Sequence, residues 1–513
     1  MIDLDETDAK RISRLPESVD EGVWRYAMAE RASVVVDAED YFGAIQKAML
    51  AATYRIMMVG WDFDTRIHLT TGRRWYEKGL KDEYPRRLGS FIVWLTNHRK
   101  TLDIRILKWS FGVFKWPLRG SMWADLVRWF PHRRIDFKFD SAHPVGCSHH
   151  QKIVVIDNRL AVCGGIDMTT RRWDTRDHKE VDERRTTPRG ADYGPWHDAT
   201  MMVEGEIAEA LDELGRDRWI RAGGVPLPPI KPRKESLWPA GLEVQFENVE
   251  IGIARTRARH RDWDAVCEIE DLFVAHIRRA KRFVYAESQY FASRRIAEAV
   301  ISRLEDDDPP EFVIVHPEHA DGWLEQTAMD SARAELVRAV EKADVHDRFT
   351  LWSPRAGKTP IYVHAKIMIV DDEVLRIGSA NMNNRSLGLD SECDLFIDCA
   401  RPANGHCGGA IRELRLSLLG EHCGLEPQAV ADAIERHGSM AAMIDHCDKE
   451  TPRHLVRYHP PDLSEIEQQL AHSQLLDPEE PDDMFEPFAD GGMFRKNSRL
   501  YRVASSVRKK LKR

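Results

Sequence analysis

One block of this 513-residue chain is written twice, and that repetition constrains what it can fold into more than any other feature. Aligning His150 with His364, an offset of 214, sets HQKIVVIDNRLAVCGGIDMTTRR against HAKIMIVDDEVLRIGSANMNNRS. Seven of the 23 positions are identical without a gap: His, Lys, Ile, Asp, Gly, Met and Arg. Ordinary βα patterning would match the apolar positions, but it gives no reason for His, Lys and Asp to recur in register. A duplicated functional unit does.

The surrounding chain repeats one plan. In the first half Tyr41, Phe42, Ile45, Met49 and Leu50 mark a helix face, and RIMMVGW (55–61) follows as an apolar strand. In the second, Trp263, Val266, Ile269, Phe273 and Ile277 recur at helical spacing, and RFVYAES (282–288) follows. LDIRIL (102–107) and EFVIVH (311–316) are further strands. Helices alternating with short apolar strands predict an α/β fold. Residues 411–472 read as helices closing the second half, with Gly420 as a C-cap.

The segment 223–241 has five prolines in 19 residues, too many for a helix or a central strand, and is expected to join the two halves. The predicted boundaries are an N-terminal extension over 1–32, a first lobe over 33–222, the linker, and a second lobe over 242–425. A helical region over 426–474, an acidic linker over 475–494 and a basic tail over 495–513 follow.

In a strand, residues i and i+2 share a face, so His150 projects with Lys152 and His364 with Lys366. An imidazole beside an ammonium suits a phosphodiester: the lysines neutralise non-bridging oxygens, one histidine attacks or deprotonates, and the other protonates the leaving oxygen. A covalent phosphohistidine would split the displacement into two easier steps. No metal or other cofactor is required by this logic, and none is expected.

A nucleophilic imidazole needs an acceptor on its other nitrogen. Asp198 and Glu392, each just before an apolar strand, are the candidates. Gly164–Gly165 and Gly378–Ser379 are expected to let backbone approach the phosphate, with Gly165, Ser379, Asn381 and Asn383 as its binding set. Asp157 and Asp371 complete the catalytic motifs but are expected to hold structure by pairing or capping. A lone H-x-K among 21 histidines would carry no weight; two H-x-K-x4-D copies, each followed by Gly-Gly or Gly-Ser, do.

These motifs resemble the phospholipase D superfamily. The likeness extends to GWDFD (60–64), RRWDT (171–175), PWHD (195–198) and ESQYF (287–291), and so covers roughly residues 33–425. The flanking motifs are most similar to the phosphatidylcholine-type enzymes of eukaryotes and bacteria. The resemblance implies two α/β lobes related by pseudo-twofold symmetry, each a mixed sheet flanked by helices, with one shared active site. It implies His150 as nucleophile, His364 as general acid and then base, Lys152 and Lys366 on the phosphate, and Asp198 and Glu392 supporting the histidines. The implied reaction is hydrolysis of a glycerophospholipid at its headgroup phosphodiester, giving phosphatidic acid, or transfer of the phosphatidyl group to an alcohol. A cardiolipin-synthase-like phosphatidyltransferase and a nuclease-type phosphodiesterase share the same catalytic unit.

Charge separates these readings in part. Of 75 basic residues nine lie in Arg495–Arg513 without an acidic one, which leaves 66 against 84 elsewhere, a net of −18. No nucleic-acid partner is expected of such a balance. The tail is different: Leu500, Val503, Val507 and Leu511 line one helix face amid cations, a pattern for an anionic bilayer surface. No lipid-binding domain like that of the eukaryotic enzymes is expected ahead of the core, so this tail is the candidate for membrane contact, with a solvated or disordered basic tail as the alternative reading. Eight cysteines form no C-x-x-C pair and are read as reduced thiols. With no apolar leader and no long uncharged apolar run, the expected location is cytoplasmic, peripheral on the membrane's inner face. Two catalytic copies in one chain make a monomer sufficient.

Two smaller expectations concern side chains near the motifs. Trp61, Phe63, Tyr290, Phe291 and Trp196 are expected mainly as core, with a rim of the lipid mouth as the alternative. Arg171, Arg172, Arg184 and Arg185 are expected as a solvated face, with headgroup attraction as the alternative.

Overall fold

A computed structural model of the chain describes Leu15 and residues 18–72, 83–109, 122–144, 146–261, 263–319 and 323–461. The first half carries β1 (Arg25–Val36), β2 (Arg55–Gly60), β3 (Asp103–Trp109), β4 (Ile135–Asp140), β5 (Ile153–Ile156), β6 (Leu160–Gly164), β7 (Trp196–His197) and β8 (Ala199–Glu204). The second carries β9 (Phe246–Arg257), β10 (Val266–Cys267), β11 (Phe283–Glu287), β12 (Glu311–Val315), β13 (Phe349–Ala356), β14 (Thr359–Pro360), β15 (Tyr362–Val363), β16 (Ile367–Val370), β17 (Val374–Gly378), β18 (Glu392–Asp398) and β19 (Arg453–Arg457).

Strand order repeats between the halves. The first sheet runs β4-β3-β2-β5-β6-β8-β1, with β2, β3 and β4 parallel and the rest antiparallel. The second runs β13-β12-β11-β16-β17-β18-β9, with β11, β12 and β13 parallel. β1 and β9 pair antiparallel, Arg25 with Ile253 and Ala32 with Phe246, so the two mixed sheets join edge to edge at equivalent strands. That is the junction a pseudo-twofold axis requires.

Period-two alternation sorts the buried residues into layers. On β5, Ile153 and Val155 face a core shared by both lobes, while Val154 and Ile156 face the core under helices Ala38–Ala51 and Leu88–His98. On β16, Ile367 and Ile369 face the shared core, and Met368 and Val370 face helices Glu268–Arg279 and Arg294–Leu304. Helices Glu206–Arg221 and Gly408–Cys423 belong to the shared core. Each such aliphatic side chain contributes roughly 1.5–3 kcal/mol on burial. Helix Glu268–Arg279 starts with Glu268, Glu270 and Asp271 and ends with His276, Arg278 and Arg279, charges that complement its dipole.

Several boundaries differ from those read in the sequence. β1 begins at Arg25, inside the expected N-terminal extension, because its first residues pair with β9 rather than within their own lobe. The helix expected from Trp263 starts at Glu268, since Val266 and Cys267 pair with β9 instead. Helix Gly408–Cys423 runs through Gly420 to Gly424, which takes the left-handed cap at φ 66°. After helices Pro427–His437 and Met440–His446 the chain adds β19 against β13, so the region after residue 425 is not helical throughout.

Residues 223–241 form neither helix nor strand and are tied to the first lobe: Arg55 donates to the Pro228 carbonyl at 2.9 Å and Asn158 to that of Ile230 at 3.0 Å. The expected acidic linker and basic tail lie outside the described residues. Among the described residues, no helix is long and apolar enough to cross a membrane.

Candidate active site

The two motifs meet between the lobes. His150 and Lys152 lie in extended residues just before β5, and His364 and Lys366 just before β16, rather than inside the strands. The reason is an exchange of backbone pairing across the lobes. The His150 amide donates to the Ser391 carbonyl at 2.9 Å, and that of Ser391 to Ser148 at 2.9 Å. The second motif does the same: β15 pairs in parallel with β7, and the His364 amide donates to the His197 carbonyl at 2.7 Å. The imidazole rings of His150 and His364 end with centroids 6.5 Å apart.

The carboxylates are exchanged as well. Nδ1 of His150 donates to Glu392 Oε1 at 2.9 Å, and Nδ1 of His364 donates to Asp198 Oδ2 at 2.7 Å. Each histidine is therefore oriented by the other lobe, and each presents Nε2 to the space between the rings. Glu392 also accepts from the hydroxyls of Ser379 at 2.5 Å and Ser386 at 2.8 Å, and Asp198 from the Ala199 amide at 2.8 Å. Lys152 donates to the His150 carbonyl at 2.7 Å and stands 3.4 Å from Asp167; Lys366 donates to the His364 carbonyl.

Burial governs the protonation of this group. It holds His150 well below the ordinary histidine range, with Lys152 and Lys366 pushing the same way. His364 is lowered by burial and then by Lys366 and Arg172. Burial raises Asp198 to about 7 and Glu392 to about 8, and lowers Lys366 to about 7. A site with so little hydration places a premium on an incoming anion that compensates its cations.

Of the motif residues, Asp157 and Asp371 hold structure, as expected of them, and stand apart from the histidine chemistry, because each carboxylate is used at the far end of the strand; the expected phosphate-binding set changes. Asp157 accepts the amides of Thr53, Tyr54 and Arg55 at 2.7–2.8 Å, and Asp371 those of Lys281, Arg282 and Phe283 at 2.8–2.9 Å. Gly165 serves a carboxylate rather than a phosphate: a Cβ there would stand 2.1 Å from Asp198 Oδ1, as one at Gly164 would stand 2.4 Å from Thr200. Ser379 spends its hydroxyl on Glu392. Asn383 caps the following turn by accepting from the Ser386 amide at 3.2 Å. Asn381 is different, for it is buried and its Oδ1 has no hydrogen-bond partner among the described residues.

The rim is aromatic on both sides. Trp61 meets the His150 ring edge-on at 6.1 Å and stacks on Trp109 at 5.9 Å. Trp196 lies 5.2 Å from the His364 ring and stacks on Tyr362 at 4.5 Å. Phe63 and Phe291 are core, and Tyr290 is buried. The arginine cluster divides: Arg184 pairs with Asp182, and buried Arg185 pairs with Asp174. Arg172 lies over Trp196 at 4.1 Å, close enough to lower His364. Asp167, Trp109, Tyr362 and Ser386 were not singled out from sequence. Only Asp167 carried a signal there, as the residue facing Asn381 in the repeat.

Residues 327–473 match the family model for phospholipase D. The chain is 24% identical over 445 residues to phospholipase D alpha 1 of Zea mays, covering 61% of this chain and 54% of that one. It is 26% identical over 479 residues to phospholipase D A of Dictyostelium discoideum, covering 77% and 35%. These matches support membership of the phospholipase D superfamily. This chain spans about half the length of the Zea mays relative. The chain shares its fold with the crystal structure of phosphatidylserine synthase from Haemophilus influenzae Rd KW20. The TM-score is 0.52 at 12% identity, covering 86% of this chain and 98% of the other.

Proposed function

We propose that the chain is a phospholipase D: a phosphodiesterase that cleaves the headgroup-side phosphodiester of a glycerophospholipid and passes the phosphatidyl group to water or an alcohol. The observation that carries this reading is the pair of facing imidazoles, each pinned at Nδ1 by the opposite lobe's carboxylate. Nε2 of His150 attacks phosphorus, the bond to the headgroup oxygen breaks, and that oxygen takes a proton from Nε2 of His364. Water or an alcohol then gives its proton to His364 and attacks phosphorus, the N–P bond breaks, and phosphatidic acid or a phosphatidyl-alcohol leaves. Lys152, Lys366 and Asn381 face the non-bridging oxygens. The substrate's negative charge favours the protonated form of His364 that the first step consumes.

The test follows headgroup release and phosphatidic acid formation from mixed phospholipid vesicles with added ethanol, using the chain and its His150→Ala and His364→Ala variants. Phosphatidic acid and phosphatidylethanol, lost in both variants, are expected. No lipid turnover alongside cleavage of DNA would leave the catalytic unit in place and overturn the substrate.

A further inference from the structure

Behind Asp198, away from the substrate side, lies a second buried group of titratable side chains that the phosphodiester chemistry does not use. Asp37, His178, His197 and Glu421 are 0–5% exposed, and one ligand atom from each lies within 4.8 Å of all the others. They come from distant parts of the chain: the turn after β1, the loop after the first motif, β7, and helix Gly408–Cys423.

Each of the four uses one polar atom outward and turns the other inward. Asp37 accepts the Asp198 amide on Oδ1 at 3.0 Å, and its Oδ2 makes no hydrogen bond among the described residues. His178 donates Nδ1–H to Asp174 at 2.9 Å, leaving Nε2 inward, 2.9 Å from Glu421 Oε1. His197 donates Nε2–H to Glu287 at 2.7 Å, and its buried Nδ1 stands 2.8 Å from Glu421 Oε1. Glu421 takes Arg176 on Oε2 at 2.5 Å and turns Oε1 inward. Glu287 is itself held by Tyr285 at 2.5 Å and His422 at 3.0 Å. Carboxylates that fix the outer nitrogen of each imidazole are the outer shell of metal-bound histidines.

We propose that Asp37, His178, His197 and Glu421 form a closed site for a divalent transition-metal ion of the zinc type, which braces the two halves of the chain behind the catalytic pair. Two imidazoles and two carboxylates are a four-coordinate N/O donor set. The four groups crowd one point: His197 Nδ1 is 2.8 Å from Glu421 Oε1 and 3.4 Å from Asp37 Oδ1, the oxygen that also takes the Asp198 amide, and His178 Nε2 is 3.4 Å from Asp37 Oδ2. With ligand bonds of about 2.0–2.1 Å, the edges of a tetrahedral site are about 3.3 Å. The two carboxylates balance the ion's charge, and four protein ligands leave no open position for substrate. The ion's role is positional: Asp37 and Asp198 exchange backbone and side-chain hydrogen bonds, and the His197 carbonyl accepts the His364 amide. The competing occupant is a pair of protons, giving imidazolium–carboxylate pairs with no metal.

Metal content, visible absorption and thermal unfolding of the whole chain decide between them. The chain purified with ZnCl2 and freed of excess is expected to carry one equivalent of zinc. Cobalt(II) in its place should show the visible bands of four-coordinate cobalt. Stripping with dipicolinate should lower Tm, and ZnCl2 should restore it. His178→Gln and Glu421→Gln should lose the equivalent, while His446→Gln, an exposed imidazole elsewhere, keeps it. Sub-stoichiometric metal with a Tm indifferent to dipicolinate and ZnCl2 overturns the proposal, as does equal zinc in His178→Gln and the parent chain. Should those variants fail to fold, the stripping and restoration of the parent chain decide alone.

Discussion

Glu392, on the second lobe, accepts the Nδ1 proton of His150, on the first, at 2.9 Å, while the reverse bond joins His364 to Asp198 at 2.7 Å. The proposed catalytic pair is thus assembled by two crossed contacts, and neither lobe alone orients its own histidine of that pair.

Neutralising either carboxylate should therefore act on chemistry. Glu392→Gln and Asp198→Asn are expected to lower kcat by about 10²–10⁴-fold, since an amide holds the imidazole in a different tautomer and cannot stabilise its cation. Steady-state headgroup release from vesicles, with circular dichroism to verify the fold, measures this. Turnover within a few-fold of the parent chain would defeat the assignment.

The motif aspartates should behave in the opposite way. Asp157→Ala or Asp371→Ala strands three backbone amides at the start of β2 or β11. A loss of about 1–3 kcal/mol per variant is expected from unsatisfied donors. Urea unfolding reads the loss, while kcat of the folded fraction stays near the parent value. A large fall in kcat at unchanged stability would return these residues to the chemistry.

Gly165 offers a steric test of the Asp198 position. In Gly165→Ala the new Cβ would stand 2.1 Å from Asp198 Oδ1, so the carboxylate that holds His364 must shift. Turnover should fall by at least an order of magnitude. Gly194→Ala, with nothing within 4 Å of the added carbon, should be silent. Equal activity of the two variants would mean that Asp198 tolerates displacement.

Lys366 gives a pH-dependent signature in stability. Burial lowers its pKa from 10.5 to about 7, so between those values the unfolded chain binds a proton that the folded chain does not. The resulting cost to folding is fully present below pH about 7 and fades as pH rises toward 10.5. Lys366→Met should therefore raise Tm more at pH 6 than at pH 10, while abolishing turnover. Differential scanning calorimetry at the two pH values provides the check, and a gain independent of pH would argue against a buried ammonium.

Much of this protein is legible without coordinates. The repeated His, Lys and Asp, and the continuous apolar runs IVVI and IMIV after them, pointed to two equivalent α/β units and to the side chains proposed for phosphodiester chemistry. Such signals are local: spacing along one strand decides which residues share a face. Tertiary structure alone decided that Glu392 serves His150 and Asp198 serves His364, because that pairing spans 242 and 166 residues and arises from the antiparallel junction of β1 with β9. It likewise decided that Gly165 makes room for a carboxylate, and that Asp37, His178, His197 and Glu421 converge. Residues scattered from position 37 to position 421 share no spacing for a sequence reading to find; only the packing of the lobes brings them within 4.8 Å.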